Sequence, residues 1–304
     1  MYGGGGNSPP PYFYTIIYKM KKKTYTSAPL PFMGQKRRFV KEFRKVLAEY
    51  PDDVTIVDLF GGSGLLSHTA KAVKPNAVVI YNDFDNYRKR IEHIPHTNAL
   101  LDKIRPLACT VDKLHRIPND VRDRIRELVT EEEQEVGFVD FYTISQSLMF
   151  SMKYATNLGE FLKATLYNRM VGNEYSADGY LDGLTIVSED YKVLFERYKD
   201  IPNVLFVIDP PYLSTDVGAY TGYWSLSKCL DVLQLLMSRD FVYFTSNKSQ
   251  LLEFCEWIGK SGIGRNLFEG ARRIELPMRL NYSSEYIDIM IYKRTSADKA
   301  AKTA

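Results

Sequence analysis

The sequence predicts an α/β protein built on a doubly wound mixed sheet that is interrupted once by a mostly helical insert. Three observations carry this. Short apolar or β-branched runs recur along the chain, amphipathic helical stretches separate them, and the alternation stops between about Ile94 and Asp182.

Residues 1–19, "MYGGGGNSPPPYFYTIIYK", combine a glycine run and a proline run without helical or strand period, so a disordered arm is expected before Met20, where the chain reads like an ordinary start. From Gln35 to Tyr50 apolar residues recur at Phe39, Val40, Phe43, Val46, Leu47 and Tyr50, which is one face of a helix. A strand follows over Thr55 to Phe60, a helix over Ser63 to Val73 and a strand over Ala77 to Tyr81. Within the insert, "PNDVRDRIRELVTEEEQ" and "LGEFLKATLYNRM" both carry helical spacing. Later strands are predicted at Leu184 to Val187, Val204 to Ile208, Phe241 to Thr245 and Tyr286 to Tyr292, with helices near 188–199, 225–238 and 248–260. The expected division is an arm at 1–19, a catalytic domain at 20–93 and 183–294, an insert at 94–182 and a tail at 295–304.

Composition is that of a globular chain: 304 residues, 45% hydrophobic and 25% charged, enough for a sizeable core. No apolar run approaches the roughly 18 residues of a membrane span, and no signal-peptide core is visible, so a cytoplasmic protein is expected. Cys109, Cys229 and Cys255 lack C-x-x-C spacing, which predicts neither disulfides nor a metal site but reduced, buried thiols. Net charge is only +3, yet positive residues cluster in "KMKKK", "KRR", "RKR" and "ARRIELPMR". Nucleic acid is a candidate partner, and solvated helix faces are the plainer explanation of any one run.

Three motifs sit at predicted strand ends. "VTIVDLFGGSG" places Gly61, Gly62 and Gly64 where a strand turns into a helix, a place where backbone can approach a ligand closely. Its F-x-G-x-G pattern lacks the third glycine of a dinucleotide fingerprint and the Gly-Lys-Ser/Thr of a phosphate loop, so a nucleoside ligand suits it better. In "VVIYNDFDNY", about twenty residues on, an acidic side chain can accept ribose hydroxyls. Asp83 is favoured, with Asp85 second. After the next strand, Asp190 and Tyr191 of "SEDY" could hold an adenine ring or, alternatively, be a charge at a helix N-terminus. The third motif is "FVIDPPYLST". Val204 to Ile208 reads as a buried parallel strand because its apolar run is continuous. Pro210 and Pro211 then end the strand and hold Asp209 and Tyr212 stiffly at its carboxyl end, the edge where open α/β sheets bind ligands.

Together these segments resemble the Dam-type DNA adenine-N6 methyltransferases. The match lies in order as well as content: "PFMGQK", "DLFGGSG", "YNDFD", an insert, "EDY", "DPPY", "FVYFTSNKSQ" and "EYIDIMIYKR". A chance Asp-Pro-Pro-Tyr alone has odds of about one in a thousand at average residue usage.

The resemblance implies a Rossmann-like methyltransferase fold, S-adenosylmethionine as cofactor and duplex DNA as partner, and it leaves open a cognate restriction endonuclease. It places Phe32 and Lys36 in the segment closing over the cofactor, Asp58, Phe60, Gly62 and Gly64 around the cofactor turn, Asp83 on the ribose, and Asp190 and Tyr191 at the adenine. Asp209, Pro210, Pro211 and Tyr212 become the catalytic group, with Asp209 also near the cofactor. The insert becomes a target-recognition region, "LSTDVGAYTGYWSLS" a loop closing on DNA, and Arg279, Asn281 and Tyr282 of "RLNYSSEY" either DNA contacts or a surface turn. An RNA adenine-N6 or DNA cytosine-N4 methyltransferase, and a non-catalytic nucleic-acid-binding relative, stand as alternatives.

Overall fold

The structure is a computed structural model, and it describes residues 23–150, 153–212, 224–281 and 284–295. The predicted arm, the loop at 213–223, Tyr282 and the tail beyond Thr295 lie outside those residues.

The strands are β1 (Thr55–Asp58), β2 (Val78–Asn82), β3 (Thr185–Val187), β4 (Val204–Ile208), β5 (Asp240–Ser246), β6 (Arg272–Asn281) and β7 (Ser284–Lys293). They form one sheet in the order β3-β2-β1-β4-β5-β7-β6. β1 to β5 are parallel, while β7 runs antiparallel to β5 and β6 antiparallel to β7. A short 3₁₀ turn, Arg37–Phe39, leads into α1 (Val40–Ala48), and α2 (Leu65–Val73) follows β1. Between β2 and β3 lie α3 (Tyr87–Glu92), α4 (Ile94–Ala108), α5 (Asn119–Val136), α6 (Phe141–Leu148) and α7 (Leu158–Lys163). The helices α8 (Tyr191–Tyr198), α9 (Leu226–Leu235) and α10 (Leu251–Ser261) complete the order.

Both sheet faces are covered, which is why the central strands carry continuous apolar runs. On one face Phe39, Phe43 and Leu47 of the α1 segment and Leu66 and Ala70 of α2 pack on Ile56, Val79, Leu205 and Val242. On the other, Leu194, Val232, Leu233 and Leu251 meet Val57, Phe206, Phe241 and Ile289. The insert has its own core of Leu100, Ile104, Ile125, Val129, Ile144 and Phe161. A smaller cluster of Tyr25, Leu30, Tyr87, Ile94 and Tyr180 joins it to the sheet.

Three expectations are corrected. "ARRIELPMR", read as a basic run, is strand β6, and its arginines are paired: Arg272 with Glu49, Arg273 with Glu275 and Arg279 with Glu285. It tolerates Pro277 because it is the edge strand. In "LGEFLKATLYNRM" the helix stops at Lys163, because the following backbone pairs laterally: Ile117 donates to Leu166 O at 2.9 Å and Tyr167 donates to Leu148 O at 2.7 Å. Finally, Cys109 is exposed, whereas Cys229 and Cys255 are buried. No helix among the described residues is long and apolar enough to cross a membrane.

Candidate active site

The strand order reverses between β1 and β4, and at such a switch point the two outgoing connections part to leave a crevice. Asp58 ends β1 opposite Val207, and Asp209 follows β4 directly, so both carboxylates stand at this crevice.

The glycine turn is shaped by its neighbours. A Cβ on Gly61 would stand 2.3 Å from the Tyr81 ring, and one on Gly62 would stand 3.1 Å from Phe32. Gly64 takes φ 72 as it enters α2. Tyr81 hydroxyl is shared between Gly62 O at 2.7 Å and Asp83 Oδ1 at 3.0 Å, which ties the two loops together. Burial pushes that hydroxyl's pKa up and keeps it a donor. Neither Tyr81 nor this bridge was legible in the motifs, since Tyr81 reads only as one more strand residue.

Asp83 is buried. Its carboxylate accepts the backbone N–H of Tyr87 at 2.6 Å and of Arg88 at 3.0 Å, besides the Tyr81 hydroxyl. It therefore holds the start of α3, with three of roughly four lone-pair positions used. Burial raises its pKa, opposed by the Arg88 amide, the Tyr81 hydroxyl and the Tyr87 amide. Asp85 is exposed, and the intervening Phe84 stands 66% exposed beside the turn, a ring the motif reading passed over. Asn82, also missed, ties three strand ends: its Nδ2 donates to Leu59 O and Glu189 O, and its Oδ1 accepts from Glu189 N.

Asp58 is 1% exposed. Ser67 hydroxyl donates to its Oδ2 at 2.7 Å, while Oδ1 is buried without a hydrogen-bond partner. Burial pushes this carboxyl up to about 7, against the Ser67 bond; the Asp209 charge adds to the rise and the Phe60 amide opposes it. A buried acceptor left in that state favours a donor or cation arriving from the crevice.

Asp209 is held differently. Lys36 Nζ lies 2.6 Å from its Oδ2, with side chains 8% and 18% exposed respectively. The same ammonium donates to Gly34 O at 2.7 Å and sits 5.3 Å from the Tyr212 ring centroid and 5.8 Å from that of Phe244. Burial raises the Asp209 pKa and Lys36 opposes the rise. Asp288 on β7, buried opposite Ser246, adds an acidic neighbour to which the matching segment "EYIDIMIYKR" gave no role; burial raises its pKa first, with Lys36 opposing and Asp209 contributing.

The remaining predicted residues are placed as follows. Phe32 packs against Gly62 and meets Tyr87 edge-on at 5.6 Å. Asp190 stands at the N-terminus of α8, the plainer of its two readings, and further caps it by accepting from Lys192 N at 2.8 Å. Tyr191 joins Phe60 at 5.0 Å and Trp224 at 6.0 Å in an aromatic cluster whose third member the sequence did not suggest. Pro210 is buried, and Pro211 and Tyr212 are half-buried beside Asp209. Arg279 and the backbone of Asn281 lie at the β6–β7 hairpin, away from any shared contact with these groups among the described bonds, with Arg279 on Glu285 at 2.6 Å.

A doubly wound sheet with a glycine turn, a second-strand acid and Asp-Pro-Pro-Tyr at the switch point defines an S-adenosylmethionine-dependent methyltransferase of the amino-group class. The chain belongs to the D12 class N6 adenine-specific DNA methyltransferase family, whose model matches residues 32–230. It is 36% identical over 283 residues to a putative methyltransferase of Haemophilus influenzae, covering 90% of this chain and 94% of that protein. It is also 25% identical over 291 residues to the modification methylase LlaI of Lactococcus lactis subsp. lactis, covering 87% of this chain but only 44% of that one. The family uses S-adenosylmethionine, and the residues present fit it: the glycine turn, the unpartnered Asp58 oxygen and the last lone pair of Asp83 are acceptors or open backbone at the neighbouring carboxyl ends of β1 and β2.

Proposed function

We propose that this chain methylates N6 of an adenine extruded from duplex DNA, with Asp209 as the acceptor that orients the amino group. The observation that carries the reading is the placement of Asp209. It follows β4 at the switch point, is stiffened by two prolines and is braced on one oxygen by Lys36. An exocyclic adenine nitrogen is a poor nucleophile because its lone pair is delocalised into the ring. Asp209 Oδ1 and the Pro210 carbonyl would each accept an N–H of that amino group and draw it toward tetrahedral geometry. Lys36 fixes Oδ2, so the acceptor needs no reorganisation during reaction. Tyr212 offers a ring face to the extruded base. Stacking returns about 1–3 kcal/mol per base, comparable with the few kcal/mol that extrusion costs.

S-adenosylmethionine supplies an already activated methyl group on a sulfonium. Gly62, Gly64, Phe32 and Phe60 would border it, Asp83 would take a ribose hydroxyl, Tyr191 would lie at the adenine, and the ionised Asp58 would favour its cationic end. Asp190, occupied as a helix cap, contributes through the backbone it fixes. In this reading residues 20–93 and 183–294 are the catalytic domain and 94–182 the target-recognition insert, working in the cytoplasm where DNA is the substrate. A paired restriction endonuclease fits the likeness to the Lactococcus modification methylase.

The test is to incubate the protein with S-adenosylmethionine and unmethylated chromosomal DNA, then digest to nucleosides. N6-methyladenine is the expected product. N4-methylcytosine, methylation of RNA only, or no methylated nucleoside would each overturn the reading.

A further inference from the structure

The insert carries a strained, exposed leucine that the account so far does not use. Asp112, Lys113, Leu114 and His115 form a turn closed by His115 N–H to Asp112 O at 3.1 Å, and Leu114 occupies its third position with φ 68. That position suits glycine or asparagine, because in other L-residues Cβ crowds the following carbonyl. The conformation is imposed from outside the turn. Leu114 N–H donates to Asn168 O at 2.7 Å and Asn168 N–H donates to His115 O at 3.0 Å. The Asn168 side chain, in a residue 2% exposed, donates to Val111 O at 2.8 Å.

The strain gains no packing, since Leu114 is 62% exposed. Around it stand Lys113, His115 and Arg116, all exposed, with the single acid Asp112. Arg116 lies opposite Tyr167, whose ring holds the 46% exposed Phe150 edge-on at 4.3 Å, and Lys153 follows. Two exposed apolar side chains thus sit on backbone-paired segments that also carry exposed cations. The α5 face is different in kind: its Arg122, Arg124 and Arg126 are spent on Asp123, Glu127 and Glu131. Backbone strain kept without a packing gain marks a functional position, and an aliphatic tip between cations is the chemistry of a wedge against nucleic-acid bases.

We propose that this turn is a DNA-contacting element in which Leu114 presses on the bases of the duplex while Lys113 and Arg116 neutralise adjacent phosphates. The proposal rests on the reading of duplex DNA as substrate. It adds a contact residue that lies in none of the motifs.

Leu114→Gly removes the tip and relieves the strain together. Its melting temperature should stay level or rise, and its S-adenosylmethionine affinity by calorimetry should not change. Its affinity for a pool of fluorescent mixed-sequence duplexes should fall at least tenfold, with the salt dependence of binding unaltered. Leu114→Asn, which also tolerates the left-handed turn, should lose affinity equally. Lys113→Ala and Arg116→Ala should each lower the slope of log K against log salt by about one. Unchanged duplex affinity in Leu114→Gly would overturn the proposal, as would a loss that merely tracks a lowered melting temperature. If the wild-type protein methylates DNA and Leu114→Gly binds normally, only the wedge fails; if the wild type neither binds nor methylates duplex, the functional reading fails first.

Discussion

Asp83 and Asp209 stand at the carboxyl ends of β2 and β4, one on each side of β1, in opposite surroundings. Asp83 is held by three donors, two of them backbone amides, and cannot turn without undoing the start of α3. Asp209 has one ion-pair partner among the described residues, the buried ammonium of Lys36, and its side chain is 18% exposed. Burial raises both pKa values. In one case fixed dipoles oppose the rise; in the other a single ammonium does. A carboxylate surrounded by fixed donors orients what binds it, whereas one braced at a single oxygen keeps the other for a substrate.

Variants should separate these two regions. The largest effect belongs to Asp209→Ala, which should keep duplex binding, because affinity comes chiefly from phosphate contacts, and lose methyl transfer by the 10²–10³ typical of one preorganised group. A parallel loss of DNA affinity in filter binding would mean that the residue is not confined to chemistry. Lys36→Ala should cost less, about tenfold in kcat, the rate equivalent of about 1.4 kcal/mol of lost preorganisation. Since Lys36 holds the Asp209 pKa down, its removal lets that pKa rise, and the acid limb of the pH–rate profile should move to higher pH. A limb that stays in place would show that Asp209 does not set it.

Asp58→Asn probes the cofactor side. The folded-state pKa of about 7 lies above the ordinary carboxylate value of 3.8, so the folded chain binds the extra proton between those limits. Asp58 therefore costs no stability below about pH 4, a growing amount up to pH 7, and the full cost above it. The asparagine variant should gain at pH 8 relative to pH 5, by at least the ~1.4 kcal/mol of a one-unit shift. Urea denaturation at both pH values reads this, and an equal stability difference at both would refute the burial account.

Much of this was legible because its causes are local. The continuous run Val204–Ile208 and its two prolines announced β4 and its end, and the glycines announced a turn. What stayed hidden depends on contacts between distant segments. β6 alternates half-buried Ile274, Leu276 and Met278 with exposed Arg273, Glu275, Pro277 and Arg279, a strand period that its arginines and Pro277 masked, and β7 supplies the pairing that realises it. Leu166 to Met170 lost its helical period to lateral bonds with Leu148 and Ile117. Lys36 was singled out in "PFMGQK", but nothing in the sequence paired it with Asp209, which it meets at 2.6 Å. The half-buried Arg90 likewise read as part of a basic run, although it bonds Asp140 at 3.0 Å and Pro31 O at 2.8 Å and so ties the insert to the Phe32 segment.

The central claim is that cofactor holding and amino-group activation are divided between the two strand ends. Single-turnover methyl transfer by Asp83→Ala and Asp209→Ala, each at saturating S-adenosylmethionine and duplex, tests it most directly. Asp83→Ala should need more cofactor, by the 1–3 kcal/mol of a charged group's hydrogen bonds, and then approach the wild-type rate, while Asp209→Ala should stay at least ~10²-fold slow at any concentration. Near-normal transfer by Asp209→Ala, or a deficit in Asp83→Ala that cofactor cannot repair in a folded protein, would contradict it.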